Sequence, residues 1–435
     1  MSFLLNVKNH RFLRTPGNYK KELFAIVANL LGPVAQLAPI FFTLKYITPE
    51  DLGTCESVFL VVAYFAFVPL GVFNGLSRNI AVLEGEGNHA RAQKQVATSW
   101  AVAHAAACIG LLVGLGFVIY YWIREPNSFA LLCAFALVVN LCLVSYSTLL
   151  QGFYAGSRLY GKLGSTKMLG NSSAVITSWL PYLMGAPALL VRRLSVAAAP
   201  VLIKIVTKKD KYTSSPDFSY PEYRDLVMTG FPIMLSGYLS QILLVSDKSI
   251  IAVYLDKENL GYYALSAFLI MAIMQVPRSF TLVYYPKAAF AYGKTKNPKT
   301  IRKYLLLSLF SNLCALVPVC LLSYFLLDYI VQYFPKYQNG LTCAKIACFT
   351  GVFMSYRGAS MAFMILRRNL IYQIILGSGI GIMWLVGSLL VRNGYGIEAI
   401  AFTRMGLALV LGLLVIGLAF WLTRSPGTDE KKSNR

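Results

Sequence analysis

The chain alternates long apolar stretches with short polar connections, and this alternation predicts its elements. A helix needs roughly 20 apolar residues to cross a bilayer, and a pass along the sequence finds about twelve such stretches. Their approximate bounds are 22–47, 56–79, 96–122, 129–151, 168–185 and 187–206, then 229–255, 260–286, 301–328, 343–366, 370–391 and 398–422. We therefore expect an all-α polytopic membrane protein.

The two halves of the chain carry a repeated pattern. Residues 46–69 and 254–277, set 208 positions apart, share the same residue types at matching places without a gap. The shared residues are Tyr46, Glu50, Leu52, Gly53, Val68 and Pro69 in the first copy, and Tyr254, Glu258, Leu260, Gly261, Val276 and Pro277 in the second. Each copy predicts an acidic turn and a span broken at Val-Pro. Paired halves with matched helix breaks are typical of transporters that alternate access around a central site.

The repeat divides the chain into two homologous six-helix bundles around a central cavity. We expect a cytoplasmic N-terminal segment (1–21), a first bundle (22–206), a basic cytoplasmic linker (207–223), a second bundle (224–423) and a cytoplasmic tail (424–435). Pro69 and Pro277 each remove a backbone hydrogen bond from a span, so they are expected to kink it and are candidate hinges.

Composition supports a bilayer environment, because 57% of the residues are hydrophobic and only 13% are charged. The net charge of +22 is mainly a topology signal. Basic residues in short loops stay on the cytoplasmic side, and most of them fall in the N-terminal segment, the even-numbered connections and the C-terminal tail. The opposite loops hold only Lys45, Arg124, Lys257, Lys336, Lys345 and Arg392. Both termini are therefore expected to be cytoplasmic.

The connections are too short for a soluble catalytic or nucleic-acid-binding domain. Eight cysteines show no paired Cys-x-x-Cys spacing, and three histidines are scattered along the chain. The sequence predicts no enzyme activity, no metal site, no cofactor and no nucleic-acid partner.

Charged residues inside the spans are the strongest functional signal, because a buried charge is costly and usually faces a cavity or a partner. Glu56, Asp328 and Glu398 are interpreted as helix ends, which leaves Asp247 as the one acidic residue well inside a span. Asp247 and Lys248 are expected to find separate partners, since neighbours in a helix point to different faces. Six basic residues lie in the spans: Arg192, Arg193, Lys248, Arg278, Arg357 and Arg404.

This excess of basic residues predicts an anionic cargo. Arginine forms bidentate contacts with phosphate oxygens, so a lipid-linked pyrophosphate suits such a site. Arg278 and Arg357 are expected near the midplane, where structural pairing is the alternative role. For Arg192, Arg193 and Arg404 the alternative is to reach the outer interface. Asp247 is a candidate for a coupling ion, and Tyr238, Tyr262 and Tyr263 are candidates to stack on sugar rings.

Three short motifs resemble one known family. They are Leu260-Gly261-Tyr262-Tyr263-Ala264 after a span with Asp247-Lys248, Pro286 near the end of the next span, and Gly75-Leu76-Ser77-Arg78 before a Gly85-x-Gly87 loop. With twelve spans and a repeat, the chain resembles the polysaccharide transporters and O-antigen flippases of the multidrug/oligosaccharidyl-lipid/polysaccharide (MOP) exporter superfamily. Arg78 is carried over with the family motif as a further binding residue, with a plain topology anchor as its other interpretation.

The resemblance implies movement of an undecaprenyl-diphosphate-linked oligosaccharide from the inner to the outer leaflet of a bacterial inner membrane. Expected partners are that cargo, membrane lipids, and polysaccharide polymerase or other glycan-assembly proteins. Two rival functions remain open. An ion-coupled multidrug exporter of the same superfamily predicts carboxylates in the cavity, and a scramblase or scaffold predicts that the buried arginines are replaceable.

Overall fold

A computed structural model describes residues 37–124, 127–207, 212, 215–295, 297–366 and 368–424. The α-helices are α1 Leu37–Tyr46, α2 Pro49–Phe65, α3 Val72–Gly85, α4 His89–Arg124, α5 Ser128–Gly156, α6 Tyr160–Ile176, α7 Leu180–Met184, α8 Ala188–Thr207, α9 Tyr220–Tyr254, α10 Lys257–Ile273, α11 Gln275–Thr295, α12 Lys299–Gln332, α13 Leu341–Phe353, α14 Ser360–Ile365, α15 Asn369–Arg392 and α16 Ile397–Leu422. Three 3₁₀ segments join some of them, at Thr177–Trp179, Pro335–Gly340 and Met354–Ala359.

The predicted all-α polytopic class is confirmed. Within the described ranges, seven helical stretches are long and apolar enough to cross a membrane by length and composition. They are α4, α5, α9, α12, α15, α16 and the stretch Lys257–Arg278. The predicted second, fifth and tenth spans are interrupted helices (α2–α3, α6–α7 and α13–α14), and the first lies largely outside the described residues. The count of twelve spans stays a prediction.

The sequence repeat is also a repeat of local structure. Thr48 caps α2 by accepting a hydrogen bond from the Asp51 backbone, and Asp256 caps α10 by accepting one from Asn259, again 208 positions on. Both helices then end one turn before Val-Pro, with Ala66 and Met274 as their C-caps. The predicted break is confirmed in the first copy, where α3 begins only at Val72; in the second copy it is reduced to one turn residue, Met274, within the helical stretch Lys257–Arg278.

The halves meet where α2 crosses α10. A Cβ built on Gly53 would lie 1.6 Å from the Lys257 carbonyl oxygen, and one built on Gly261 would lie 1.8 Å from the Pro49 carbonyl oxygen. Residues 53 and 261, and likewise 49 and 257, are repeat-related. The contact is thus reciprocal, and glycine is required at both positions because the two backbones touch.

One end of the molecule gathers the connections that the charge pattern predicts to face outward, and we call it the outer end. Tyr337 donates to the Ile47 carbonyl over 3.2 Å, and Tyr46 packs edge-on against Tyr182. Arg392 donates to the Tyr254 hydroxyl. The first of these contacts joins the two halves, and the other two join connections within one half.

At the opposite, inner end, the start of α9 is fixed to the first half. Arg91 of α4 forms ion pairs with Glu222 at 3.2 Å and Asp225 at 3.1 Å, and Gln95 donates to both carboxylates over 2.8 Å. Gly71, which precedes α3, and Gly230 of α9 are also in backbone contact. Helix α9 therefore touches the first half at its inner end, and further out it packs along α15 and also contacts α2.

Candidate functional site

A cavity of about 80 Å³ lies between α9, α10, α11 and α16. It is lined by three of the predicted binding residues, Lys248, Arg278 and Arg404, together with Gln241 and Gln275 and an apolar wall. The sequence predicted a cavity central to both bundles, whereas all of these lining residues belong to the second half. Clefts that hold drug-sized ligands measure roughly 300–1,000 Å³, so a large cargo would need the surrounding helices to move apart.

Arg357 does not line this cavity itself, but it lies in the break of its span and interacts electrostatically with the lining residue Arg278. Gly358 lies against α12 so closely that a Cβ would be 2.6 Å from both the Asn312 Nδ2 and the Ser308 Oγ atoms. The chain takes a 3₁₀ path from Met354 to Ala359, which the sequence did not predict. The Arg357 guanidinium is near enough to Arg278 for their like charges to repel.

These two arginines carry unpaired charge. The Nε and Nη2 atoms of Arg357 are buried and have no hydrogen-bond partner among the described residues. Arg278 is exposed, and no carboxylate in the described part of the chain pairs with it. Two guanidinium groups of like charge without a counter-ion are suited to an anion with several acceptor oxygens.

Asp247 is neutralised inside the second half. It accepts hydrogen bonds from Arg404 and, over 2.6 Å, from the Tyr263 hydroxyl, and all three side chains are buried. This arrangement does not favour the predicted coupling-ion role, because both donors bind one carboxylate oxygen and a guanidinium already balances its charge. Tyr263 is only 1% exposed, so the proposed stacking on sugar is wrong for this residue.

Replacing Asp247 by asparagine should destabilise the protein, because it leaves the Arg404 charge buried without a partner. We expect the unfolding free energy to fall by about 3–5 kcal/mol. The double variant Asp247→Asn with Arg404→Gln should recover most of that loss. Denaturant unfolding in detergent measures both, and equal stability of the single variant and the unchanged protein would contradict the pairing.

Lys248 finds a different partner, as expected for a neighbour on another helix face. Its Nζ atom lies 2.8 Å from an oxygen of Glu56 in the first half, and the other oxygen of Glu56 pairs with Arg193. Arg193 also lies over the Phe59 ring at 4.6 Å. Interpreting Glu56 as a helix end was wrong. Thr48 is a typical N-cap residue and Pro49 a typical first helical residue, so α2 begins at residue 49.

The remaining predicted residues are not brought to this cavity. Arg192 donates to the Pro39 carbonyl at 3.2 Å and the Thr43 hydroxyl at 3.0 Å, which fastens α8 to α1. Arg78 is exposed on α3 and does not line the cavity. At least two acids lie well inside the described helices, the buried Asp247 and the largely buried Glu56, so the excess of basic charge is smaller than the sequence suggested.

The family of polysaccharide biosynthesis proteins matches residues 45–338, about two thirds of the chain. The protein belongs to this family. A relative from Shigella flexneri that carries the name O-antigen transporter is 21% identical over 305 residues, covering 66% of this chain and 70% of that protein. The predicted resemblance is thereby confirmed.

Solved structures show the fold of this polysaccharide biosynthesis family member. An inward-facing MATE-family multidrug transporter of the MOP superfamily matches with a TM-score of 0.67 and 14% identity, covering 93% of this chain and all of that one. A Pyrococcus furiosus MOP-superfamily transporter, whose reported feature is a binding pocket of reversed polarity, matches with a TM-score of 0.58 and 15% identity over 93% and 95% of the two chains. The chain therefore has the MOP-superfamily fold.

Proposed function

We propose that this protein is a flippase, not an enzyme, that moves an undecaprenyl-diphosphate-linked oligosaccharide from the inner to the outer leaflet of a bacterial inner membrane. The cargo class is a polysaccharide or O-antigen repeat unit. The observation that carries the proposal is the unpaired Arg278 and Arg357 beside a cavity that Lys248 and Arg404 also line. The family and the name of the Shigella relative support the cargo class.

The proposed mechanism is alternating access. Arg278 and Arg357 hold the pyrophosphate, the polyprenyl tail stays in lipid, and movement of the two halves about the breaks at Pro69 and Pro277 exposes the site to the outer side. Outward movement of negative charge across an inside-negative membrane releases about 2.3 kcal/mol per charge per 100 mV. Two uncompensated phosphate charges would therefore drive export without a coupling ion, and both termini would be cytoplasmic.

The multidrug alternative is less well supported by the site. A cationic drug needs an available carboxylate, and the two nearest in the described spans, Asp247 and Glu56, already pair with basic residues. The scramblase or scaffold alternative assigns the arginines no role in transport, and their replacement tests it.

Transport in proteoliposomes tests the proposal. The unchanged protein should move an undecaprenyl-diphosphate oligosaccharide across the bilayer, and an inside-negative potential should accelerate that movement. A cationic dye serves as the second cargo. Efflux of the dye without movement of any lipid-linked glycan would refute the proposal and support a multidrug exporter.

A further inference from the structure

The ion pairs near the cavity differ in whether they lie within one half of the molecule or join the two halves. Arg404 and Asp247 both belong to the second half, and Arg193 and Glu56 both belong to the first. The contact of Lys248 with Glu56 joins the two halves. Separation of the halves between α2 and α9 leaves the first two pairs intact and parts Lys248 from Glu56.

Lys248 also lines the cavity at which the anionic cargo is proposed to bind. It lines that cavity together with Arg278 and Arg404, while its Nζ atom lies 2.8 Å from Glu56. Only about 10% of the Lys248 side chain and 12% of the Glu56 side chain is exposed, so an anion entering the cavity meets an ammonium group already occupied by a carboxylate. The phosphoryl group and Glu56 then compete for the same donor.

We infer that Glu56 occupies the position on Lys248 that a phosphoryl oxygen of the cargo takes, so that cargo binding releases the first half from the second near the outer end. This inference rests on the proposed function and specifies how its binding site controls access. Glu56 competes with the cargo for Lys248. Replacement of the Glu56 carboxylate by a phosphoryl oxygen therefore couples cargo binding to opening of the outer end.

Charge balance makes this exchange feasible. Removing one partner of a buried ion pair is strongly destabilising when the other charge is left bare. Here Glu56 keeps Arg193 as its partner, and Lys248 gains the phosphoryl oxygen. Neither Glu56 nor Lys248 is then left as a bare ion during opening.

Because of the position of Glu56, loss of its contact with Lys248 weakens the contact between the two halves at the outer end. It lies in α2, seven residues after the Pro49 carbonyl that contacts Gly261 of α10. A hydrogen bond of 2.7 Å between the hydroxyls of Tyr64 and Ser249 also joins α2 to α9. Loss of the Lys248 contact therefore removes the ionic part of the α2–α9 contact beside the helix crossing.

The test measures binding and opening in the same full-length protein. Spectroscopic probes are placed through non-natural amino acids at Ser128 and Asn393, which are exposed in the first and second halves at the outer end. Inorganic pyrophosphate is the probe ligand, and its affinity is measured by calorimetry. In the unchanged protein, pyrophosphate should increase the fraction of molecules with a long distance between the probes.

Two variants separate competition from a structural role. Glu56→Gln should bind pyrophosphate more tightly, by about tenfold, an ordinary size for coupling between two sites. A residue that only holds the fold together would lower the affinity or leave it unchanged. Lys248→Gln keeps the Arg193 pair and guards against a folding defect in Glu56→Gln. In both variants the distance between the probes should no longer respond to pyrophosphate.

The outcomes distinguish this inference from the proposed function. If pyrophosphate binds but leaves the distance unchanged, or if Glu56→Gln does not gain affinity, the competition is refuted while the flippase proposal stands. If Lys248→Gln still opens in response to pyrophosphate, the competition is also refuted. Absence of any pyrophosphate binding would overturn both this inference and the anion site of the proposed function.

Discussion

Replacing Arg357 by alanine is expected to abolish transport of the lipid-linked oligosaccharide. The buried Nε and Nη2 atoms of Arg357 have no partner in the described structure, so they are available for phosphate oxygens. A hydrogen bond that involves a charged group contributes about 1.5–3 kcal/mol, so pyrophosphate affinity should fall roughly 10- to 100-fold. Proteoliposome transport and calorimetry with pyrophosphate measure the two effects.

Lysine at position 357 should give an intermediate result, because it keeps the charge and loses the planar fork. Arg424→Ala, the same change at an exposed position in the described end of the chain, is the matched control and should transport normally. The alanine variant should stay folded, because it removes a repulsion with Arg278 and no described hydrogen bond of the Nε or Nη2 atoms. Undiminished transport by a well-folded Arg357→Ala protein would refute the anion site proposed at Arg278 and Arg357.

Alanine at Gly53 or Gly261 should prevent closure of the outer end. The added Cβ would lie 1.6 Å from the Lys257 carbonyl oxygen in the first case and 1.8 Å from the Pro49 carbonyl oxygen in the second. Neither atom can turn away as a flexible side chain does, so the two helices must separate. We expect transport to be lost and amide hydrogen exchange to increase in α2 and α10.

Gly377→Ala is the matched control for this experiment. Gly377 lies inside helix α15, and a Cβ there would meet no other atom within 4 Å. The control gains helix propensity, by roughly 0.8–1 kcal/mol, and should transport normally. Normal transport and unchanged exchange in Gly53→Ala would show that the crossing of α2 and α10 is not needed for the transport cycle.

Several features of the fold followed from the sequence because they depend on local chemistry. The Val-Pro steps predicted the two helix breaks, since proline disrupts the preceding turn wherever the helix packs. The shared Leu-Gly positions predicted a duplication, and the structure shows them as the reciprocal contact between the halves. Apolar length predicted the membrane-spanning helices. The second span was predicted to start at residue 56, whereas α2 starts at Pro49. The prediction was wrong because it followed the apolar pattern and not the N-cap signal at Thr48.

The site was predicted only in part. The sequence identified Lys248, Arg278, Arg357 and Arg404 as unusual because a charge in an apolar span is costly wherever it lies. It did not show which of them were already paired, and Arg192 binds α1 instead of lining the cavity. Glu56 and Tyr263 were missed as partners because their roles depend on helices distant in sequence.

The sequence by itself determined the class, the duplication, the helix breaks and the presence of an excess basic charge in the spans. These follow from residue type and local spacing, which act through the backbone and the solvent. Only the tertiary structure decided which basic groups remain without a counter-ion and which ion pair joins the two halves. Pairing depends on distances of a few ångströms between side chains far apart along the chain, and helix packing alone sets those distances.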